Sequence, residues 1–420
     1  MNPTVFDQLL EPVDEFVRKQ DDELPKHHNQ KFKYYDFFRI LTYFFVSGGK
    51  SLRLFIDTKL KNNLLPSALG LIYVPYSTFG DAFERYPVAL FQEVLQYLLS
   101  AISFKNIPEL VAFGTLYCID GSLFPVINSM LWAEYTSKHQ SLKLHLCFEL
   151  NRMIPVEFLV TAANYSERDA LLKMLKSGIT YIGDRGYMSF KVCHEIVKAE
   201  AFFIFRVKEK LKFSVTEKLK IELPTKITAI FENVTDELIC YTNDKSNEIY
   251  RLVCFHVGTE VFRILTNRRD ITTFQVIMLY AYRWQIELLF RFLKRTMNGI
   301  HLIKQDKKGV TIQFYILMIS ALLELIMKQL TVDTGENASS KEIDCNDKIP
   351  VGNQKENHIK NSESSKIDTE KPISCEYKFM ETIGRNLKKY WKIGIHWLTA
   401  LKTLLSEPFD KRAVEILNST

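Results

Sequence analysis

The sequence predicts an α/β multidomain protein with a helical region at each end of the chain. Short apolar runs bounded by turn residues fill the middle, where they alternate with stretches of helical periodicity. Apolar residues recur at helical spacing in the first hundred residues and again beyond Thr273. The length, 420 residues, allows two to four domains at about 100–200 residues each. A hydrophobic share of 47% against 25% charged is ordinary for a globular chain. It excludes wholesale disorder, collagen and a small disulfide scaffold.

Residues 1–105 form the N-terminal helical region. Helical spacing is clearest over 35–46 and 91–102. Ser77-Thr78-Phe79-Gly80-Asp81 looks like a helix start, with Ser77 as the cap and an acid in the first turn. With Arg53, Arg85 and several lysines, this region is expected to bind DNA ends. A helical packing domain is the alternative that pattern alone leaves open.

Residues 106–210 carry the strands of the core. Residues 115–120 are a short apolar run ending in an acid, 142–150 alternate with period two, and 155–162 are apolar again. A helix over 168–175, a buried strand over 179–183, a helix over 189–199 and a strand over 202–207 follow. Three strands, then helix–strand–helix–strand, is an α/β pattern of ribonuclease H type. Residues 211–270 are rich in Val, Ile, Thr, Phe and Tyr, with turn signals at Leu223-Pro224 and Thr242-Asn243-Asp244, and read as a β insertion. Residues 271–330 return to helix, with one long helix over 273–294 and an apolar one after Val310.

Residues 331–376 contain no Phe, Trp or Tyr and set ten acids against six bases. Such a segment buries too little apolar surface to offset its ordering entropy, and it reads as a polar linker or loop. Residues 377–420 form a basic helical C-terminal region, with Tyr390, Trp391 and Trp397 among its lysines. DNA contact and a core-packed amphipathic helix both suit it.

The longest apolar stretch ends at Glu324 and is shorter than the roughly 20 residues of a membrane span. The N-terminus shows no signal peptide. Seven cysteines without CxxC spacing suggest free thiols in a reducing cytosol and no zinc site. The net charge of +6 favours a polyanionic partner. No Walker-type loop or GxGxxG occurs, so no nucleotide cofactor is expected. Cys193-His194, and His139 with His145, read as core or surface residues rather than metal ligands. Trp284 reads as a packing residue.

Three acids fall where strand or helix geometry aims them. Asp120 closes the first strand and Asp184 the fourth, while Glu287 lies in the long helix. The first and fourth strands are neighbours in this topology, so the two aspartates can share a cation. Transfer at a phosphodiester needs a nucleophile delivered to an anion and an oxyanion leaving group stabilised. Two divalent cations about 3.5–4 Å apart do both, and magnesium takes carboxylate, water and phosphate oxygens. Tyr280, Arg283, Glu287 and Lys294 follow Tyr-x2-Arg-x3-Glu-x6-Lys. On one unbroken helix, at about 100° per residue, they share an arc of roughly 60°. A solvated face with ion pairs from Arg283 to Glu287 and from Glu287 to Arg291 is the alternative.

Together these motifs resemble the DDE transposases of the insertion-sequence-four family. Tyr280, Arg283, Glu287 and Lys294 match that family's signature at every spacing. Asp120-Gly121-Ser122 matches its first-acid motif and Asp184-Arg185-Gly186-Tyr187 its second. Leu265-Thr266-Asn267, Lys143-Leu144-His145 and Thr161-Ala162 are also typical, and the resemblance covers roughly residues 75–330. It implies a ribonuclease H-like catalytic core with a β-strand insertion before the third acid. It implies that Asp120, Asp184 and Glu287 are catalytic and ligate two Mg2+ or Mn2+ ions. Tyr280 and Arg283 would then contact a phosphate near the cleaved end, Lys294 would contact DNA, and Arg206 would hold phosphate from a strand. Arg offers a bidentate fork, and a Tyr ring can stack on a base while its hydroxyl donates. Relatives flip a base onto an aromatic of the insertion, for which Phe255 and Phe262 are the candidates.

The activity this implies is cut-and-paste transposition of an insertion sequence. One strand is hydrolysed, the freed 3′-hydroxyl attacks the other to give a hairpin, and the end joins target DNA. The expected partners are double-stranded DNA, as terminal inverted repeats and as target, and a second copy of the chain in a paired-end homodimer. No membrane partner is expected, and the place is cytoplasmic, at a prokaryotic chromosome. A catalytically decayed DNA-end-binding protein and a metal-dependent nuclease without strand transfer are the alternatives.

Overall fold

The computed structural model describes residues 4–338, apart from 26–29, 48, 50, 62–68, 102–105, 127–129, 137–138, 224–230, 258–259 and 297–301. The basic region 377–420 and most of the linker lie outside the described residues.

The N-terminal helices are α1 (Val5–Glu23), α2 (Tyr34–Val46), α3 (Tyr76–Arg85) and α4 (Val88–Ala101). A capping box opens α1: the Thr4 hydroxyl accepts from the Asp7 amide and the Asp7 carboxylate from the Thr4 amide. Pro75, whose φ is −58°, leads into α3, so Ser77 lies inside that helix and does not cap it.

The core strands are β1 (Thr115–Pro125), β2 (Glu134–Thr136), β3 (His139–Glu149), β4 (Ile154–Ala162), β5 (Ile179–Gly183) and β6 (Phe202–Arg206). Helix α5 (Glu167–Lys173) precedes β5, and α6 (Phe190–Lys198) follows it. β3 runs antiparallel to β1 and β4, and β5 runs parallel to β1 and β6. The order β4-β3-β1-β5-β6 is the meander-plus-parallel arrangement of a ribonuclease H-like core.

The insertion holds β7 (Phe213–Lys218), β8 (Glu232–Tyr241), β9 (Ile249–Val257) and β10 (Glu260–Thr266). These strands extend the core sheet: β10 pairs with β6, and β9, β8 and β7 follow outward.

The predicted long helix is two helices, α7 (Thr273–Ala281) and α8 (Trp284–Thr296). At the junction the amides of Arg283, Gln285 and Ile286 reach back three residues instead of four, which tightens and turns the chain. Helix α9 (Lys307–Ala338) comes next, so residues 331–338 continue a helix where the sequence suggested a linker. Between Val310 and Leu323 α9 is buried almost all round, and such a helix must be enclosed. Helices α1–α4 enclose it, so the N-terminal helices share one core with α9.

Side chains alternate between the sheet faces. Leu116, Cys118, Ile182 and Ile204 join the core shared with α7–α9, while Tyr117, Ile119, Tyr181 and Phe203 pack with α5 and α6. Among the described residues no helix is long and apolar enough to cross a membrane.

Candidate active site

Asp120 lies inside β1 and not at its end, because pairing with β3 continues to Pro125. The parallel neighbour β5 stops sooner. The last β1–β5 partners are Cys118 and Ile182, and Ile182 is in turn the partner of Ile204 on β6. Asp120, Asp184 and Arg206 each follow these residues by two positions, with Asp184 just past the end of β5, so register brings the three to one end of the parallel strands, which lie about 4.8 Å apart.

Backbone amides orient both aspartates: Gly121 donates to Asp120 Oδ1 and Gly186 to Asp184 Oδ1, each at 2.8 Å. Glu287 comes from the first turn of α8, which packs on β1. Arg283 Nη2 donates to Glu287 Oε1 at 2.8 Å. Burial pushes the Asp120 carboxyl up to about 7. The Gly121 amide and the Arg283 charge oppose the rise, and the charges of Asp184 and Glu287 add to it. Burial works against the Arg283 guanidinium, yet Tyr280, Glu287 and Asp120 hold it above its ordinary value. The three acids and Arg283 thus act on one another electrostatically.

Tyr280 is buried, and burial raises its hydroxyl, with Arg283 and Arg206 opposing and Asp184 adding. The Arg283 guanidinium stands 6.0 Å from its ring centroid. Arg206 stacks on Phe262 at 4.3 Å and donates to Glu260 at 3.3 Å. Lys294 stands apart, exposed on α8 about two turns beyond Glu287, with its ammonium 5.3 Å from the Phe124 ring. The turn between α7 and α8 breaks the single arc expected of the four signature residues. Tyr280, Arg283 and Glu287 still converge, because Arg283 sits in that turn. The alternative Arg283–Glu287 ion pair forms as well, beside the acids and not on a solvated face.

A family model described as a transposase DDE domain matches residues 112–323, which hold all three acids. The chain belongs to this DDE transposase family. Among similar proteins is a Sinorhizobium fredii transposase, 27% identical over 254 residues, which cover 60% of this chain and 71% of that protein. A Geobacillus stearothermophilus transposase for the insertion sequence element IS5377 is 20% identical over 259 residues, covering 60% and 67%. A Synechocystis transposase for the element IS4SA is 23% identical over 264 residues, covering 60% and 71%. DDE transposases cut and transfer DNA strands, generally with divalent metal ions.

The transposase has the donors such ions take. Three carboxylates are hard oxygen ligands, and Asp120 is buried with the charges of Asp184 and Glu287 acting on it. Among the described residues no three acid, His or Cys side chains are already gathered as a metal cage, and Arg283 supplies the countercharge. The donor chemistry fits.

Phe255 and Phe262 are 0% and 2% exposed and stack on each other at 5.1 Å. Neither offers a free face to a base, which overturns both as base-flip candidates. The transposase also carries a fourth acid beside the site, Glu167, 3.3 Å from Lys143 Nζ. The sequence hides it, because an acid after the cap residue Ser166 reads as an ordinary helix start. His145 is buried against Thr161 Oγ1 at 2.9 Å. Burial, then Lys143, push it down to about 4. His194 Nε2 meets Ser246 Oγ at 2.7 Å and Asp244 Oδ2 at 3.3 Å. Ser246 and Asp244 meet the same imidazole nitrogen, so Asp244 does not hold the opposite nitrogen as the acid of a triad does.

Proposed function

We propose that this transposase excises and reinserts an insertion sequence of the insertion-sequence-four type by cut-and-paste transposition. The placement of Asp120, Asp184 and Arg206 at one end of the parallel strands, with Glu287 coupled to them through Arg283, carries the reading. Two Mg2+ or Mn2+ ions, held by Asp120, Asp184 and Glu287, would supply an activated water and stabilise the leaving oxyanion. The side chains do the rest. Arg283 gives up Glu287 and turns its fork to a phosphate. Arg206 offers a second guanidinium, and Tyr280 donates its hydroxyl. Lys294 meets the DNA beside the site.

Hydrolysis of one strand leaves a 3′-hydroxyl, which attacks a phosphodiester of the opposite strand to form a hairpin and releases the flanking DNA with a 3′-hydroxyl. A second water opens the hairpin, and the 3′ end attacks a target phosphodiester, joins its 5′ side and releases a target 3′-hydroxyl. The region 1–105, with exposed Arg53 and Arg85, binds the terminal inverted repeats. Two copies of the chain pair the ends, at the chromosome of a prokaryotic cell. The core is 106–210 with 271–330, and 211–270 is the insertion. The hairpin step needs a stacking partner other than Phe255 or Phe262.

The test incubates the purified protein with DNA carrying its own flanking ends, with Mg2+ or with EDTA, beside Glu287→Gln. Metal-dependent cleavage with hairpins or joined products, lost in the variant, is expected. Cut ends alone would establish a nuclease without strand transfer, and cleavage unchanged in the variant would remove Glu287 from the site.

A further inference from the structure

We propose that Glu167 is a positioning residue, whose carboxylate braces the two glycine peptides that orient Asp120 and Asp184. The inference rests on the reading of those two aspartates as acids of the site. A Cβ on Gly121 would stand 3.3 Å from Glu167 Oε1 and 3.2 Å from Lys143 Cδ. A Cβ on Gly186 would stand 2.5 Å from Glu167 Oε2 and 3.0 Å from Asp184 Oδ1. Neither glycine has a positive φ, so what a side chain at either position would meet is the Glu167 carboxylate, with Lys143 beside Gly121 and Asp184 beside Gly186.

The carboxylate therefore spans from the residue after Asp120 to the turn after Asp184. These are the glycines whose amides bond Asp120 Oδ1 and Asp184 Oδ1. Neighbouring contacts hold the brace in place. Lys143, little exposed, reaches Glu167 Oε1 at 3.3 Å and the Tyr165 carbonyl at 3.4 Å. Arg168 Nε donates to the Gly186 carbonyl at 3.0 Å. The first two residues of α5 thus clamp the turn that follows β5. A carboxylate behind the ligand peptides fixes their direction and adds negative charge where a cation is to bind.

The test is a Mn2+ titration of the full-length protein without DNA, with free Mn2+ followed by electron paramagnetic resonance. Wild type is compared with Glu167→Gln, Glu167→Asp, Gly186→Ala and Asp184→Asn, each checked by thermal melting. Glu167→Gln keeps the shape and loses the charge, and it is expected to weaken Mn2+ binding by about tenfold at an unchanged melting temperature. Gly186→Ala crowds Glu167 Oε2 and Asp184 Oδ1 together without removing any charge, and it is expected to weaken binding similarly. Glu167→Asp, which keeps the charge but draws it back from both glycines, is expected to weaken binding as well and decides the matter if Glu167→Gln does not fold. Wild-type affinity in the Glu167 and Gly186 variants, with binding lost in Asp184→Asn, would overturn the brace and leave the site standing. Wild-type affinity in Asp184→Asn would overturn the reading of the site and the brace with it.

Discussion

Arg283, in the turn that leads into α8, donates to Glu287 in the first turn of that helix across 2.8 Å, and the same guanidinium opposes the rise of Asp120. One cation thus compensates acids from a helix and from a strand. Replacing it leaves these half-buried carboxylates facing one another. Arg283→Gln is expected to cost about 2 kcal/mol at pH 8. The cost should shrink at pH 5.5, where Asp120 holds a proton. Urea unfolding at the two pH values measures it, and an equal loss at both would contradict the coupling.

Asp120 itself sets a second expectation. Its carboxyl is raised from 3.8 to about 7, so the folded chain keeps a proton that the unfolded chain has released. The resulting penalty is absent below about pH 4, grows as pH rises and is complete above about 7. Asp120→Asn removes it. The variant is expected to be more stable than wild type by about 2–4 kcal/mol at pH 8 and equal to it at pH 3.5. Mg2+ should narrow the gap at pH 8 by stabilising the ionised wild type. Melting curves that place wild type above the variant at pH 8 without metal would rule this out.

The insertion is fastened to the core by a buried ion pair. Arg251 meets Asp236 at 2.9 and 2.6 Å, and Thr273 Oγ1 adds a bond to Asp236 at 2.7 Å. These contacts tie β8 and β9 to the start of α7, the helix that delivers Tyr280. Asp236→Ala leaves the Arg251 charge buried and is expected to cost about 3–5 kcal/mol. The double variant Asp236→Leu with Arg251→Met should recover most of that. A single variant within 1 kcal/mol of wild type (about what an exposed pair contributes) would show that the pair does not fasten the sheet.

The core strands were legible because each is an apolar or alternating run between turn residues. Residues 179–183, a short and largely apolar run, form β5. The position of Asp120 was less so: Ser122 and Leu123 continue β1 by pairing with β3, although the apolar run has ended. Nothing local marks the break at Tyr282 and Arg283, where no Gly or Pro intervenes. The helical cage around α9 depends on contacts between residues more than 200 positions apart, which no local period records. In the site, Arg283 and Glu287 could be paired from their spacing. Arg206 was placed by resemblance, but its place at the same strand end as Asp120 and Asp184 follows only from strand register. Glu167 has no local mark at all, because its role depends on two glycines brought together by parallel strands.

Exposure separates the two basic residues proposed to meet DNA. Lys294 is exposed and packs only its ammonium near the Phe124 ring. Arg206 is mostly enclosed, stacked on Phe262 and paired with Glu260. A solvated lysine acts on phosphate as a point charge and releases about one counterion. Lys294→Ala is therefore expected to weaken DNA binding, to lower the slope of log K against log salt by about 1, and to leave melting unchanged. Arg206→Ala removes a cation–π contact as well, so it should lower stability by about 1 kcal/mol besides weakening binding. Fluorescence anisotropy at several salt concentrations, paired with melting curves, measures both. A Lys294 variant with an unchanged slope would take that residue off the DNA, whereas an Arg206 variant that melts as wild type would mean its stack on Phe262 contributes nothing to the fold.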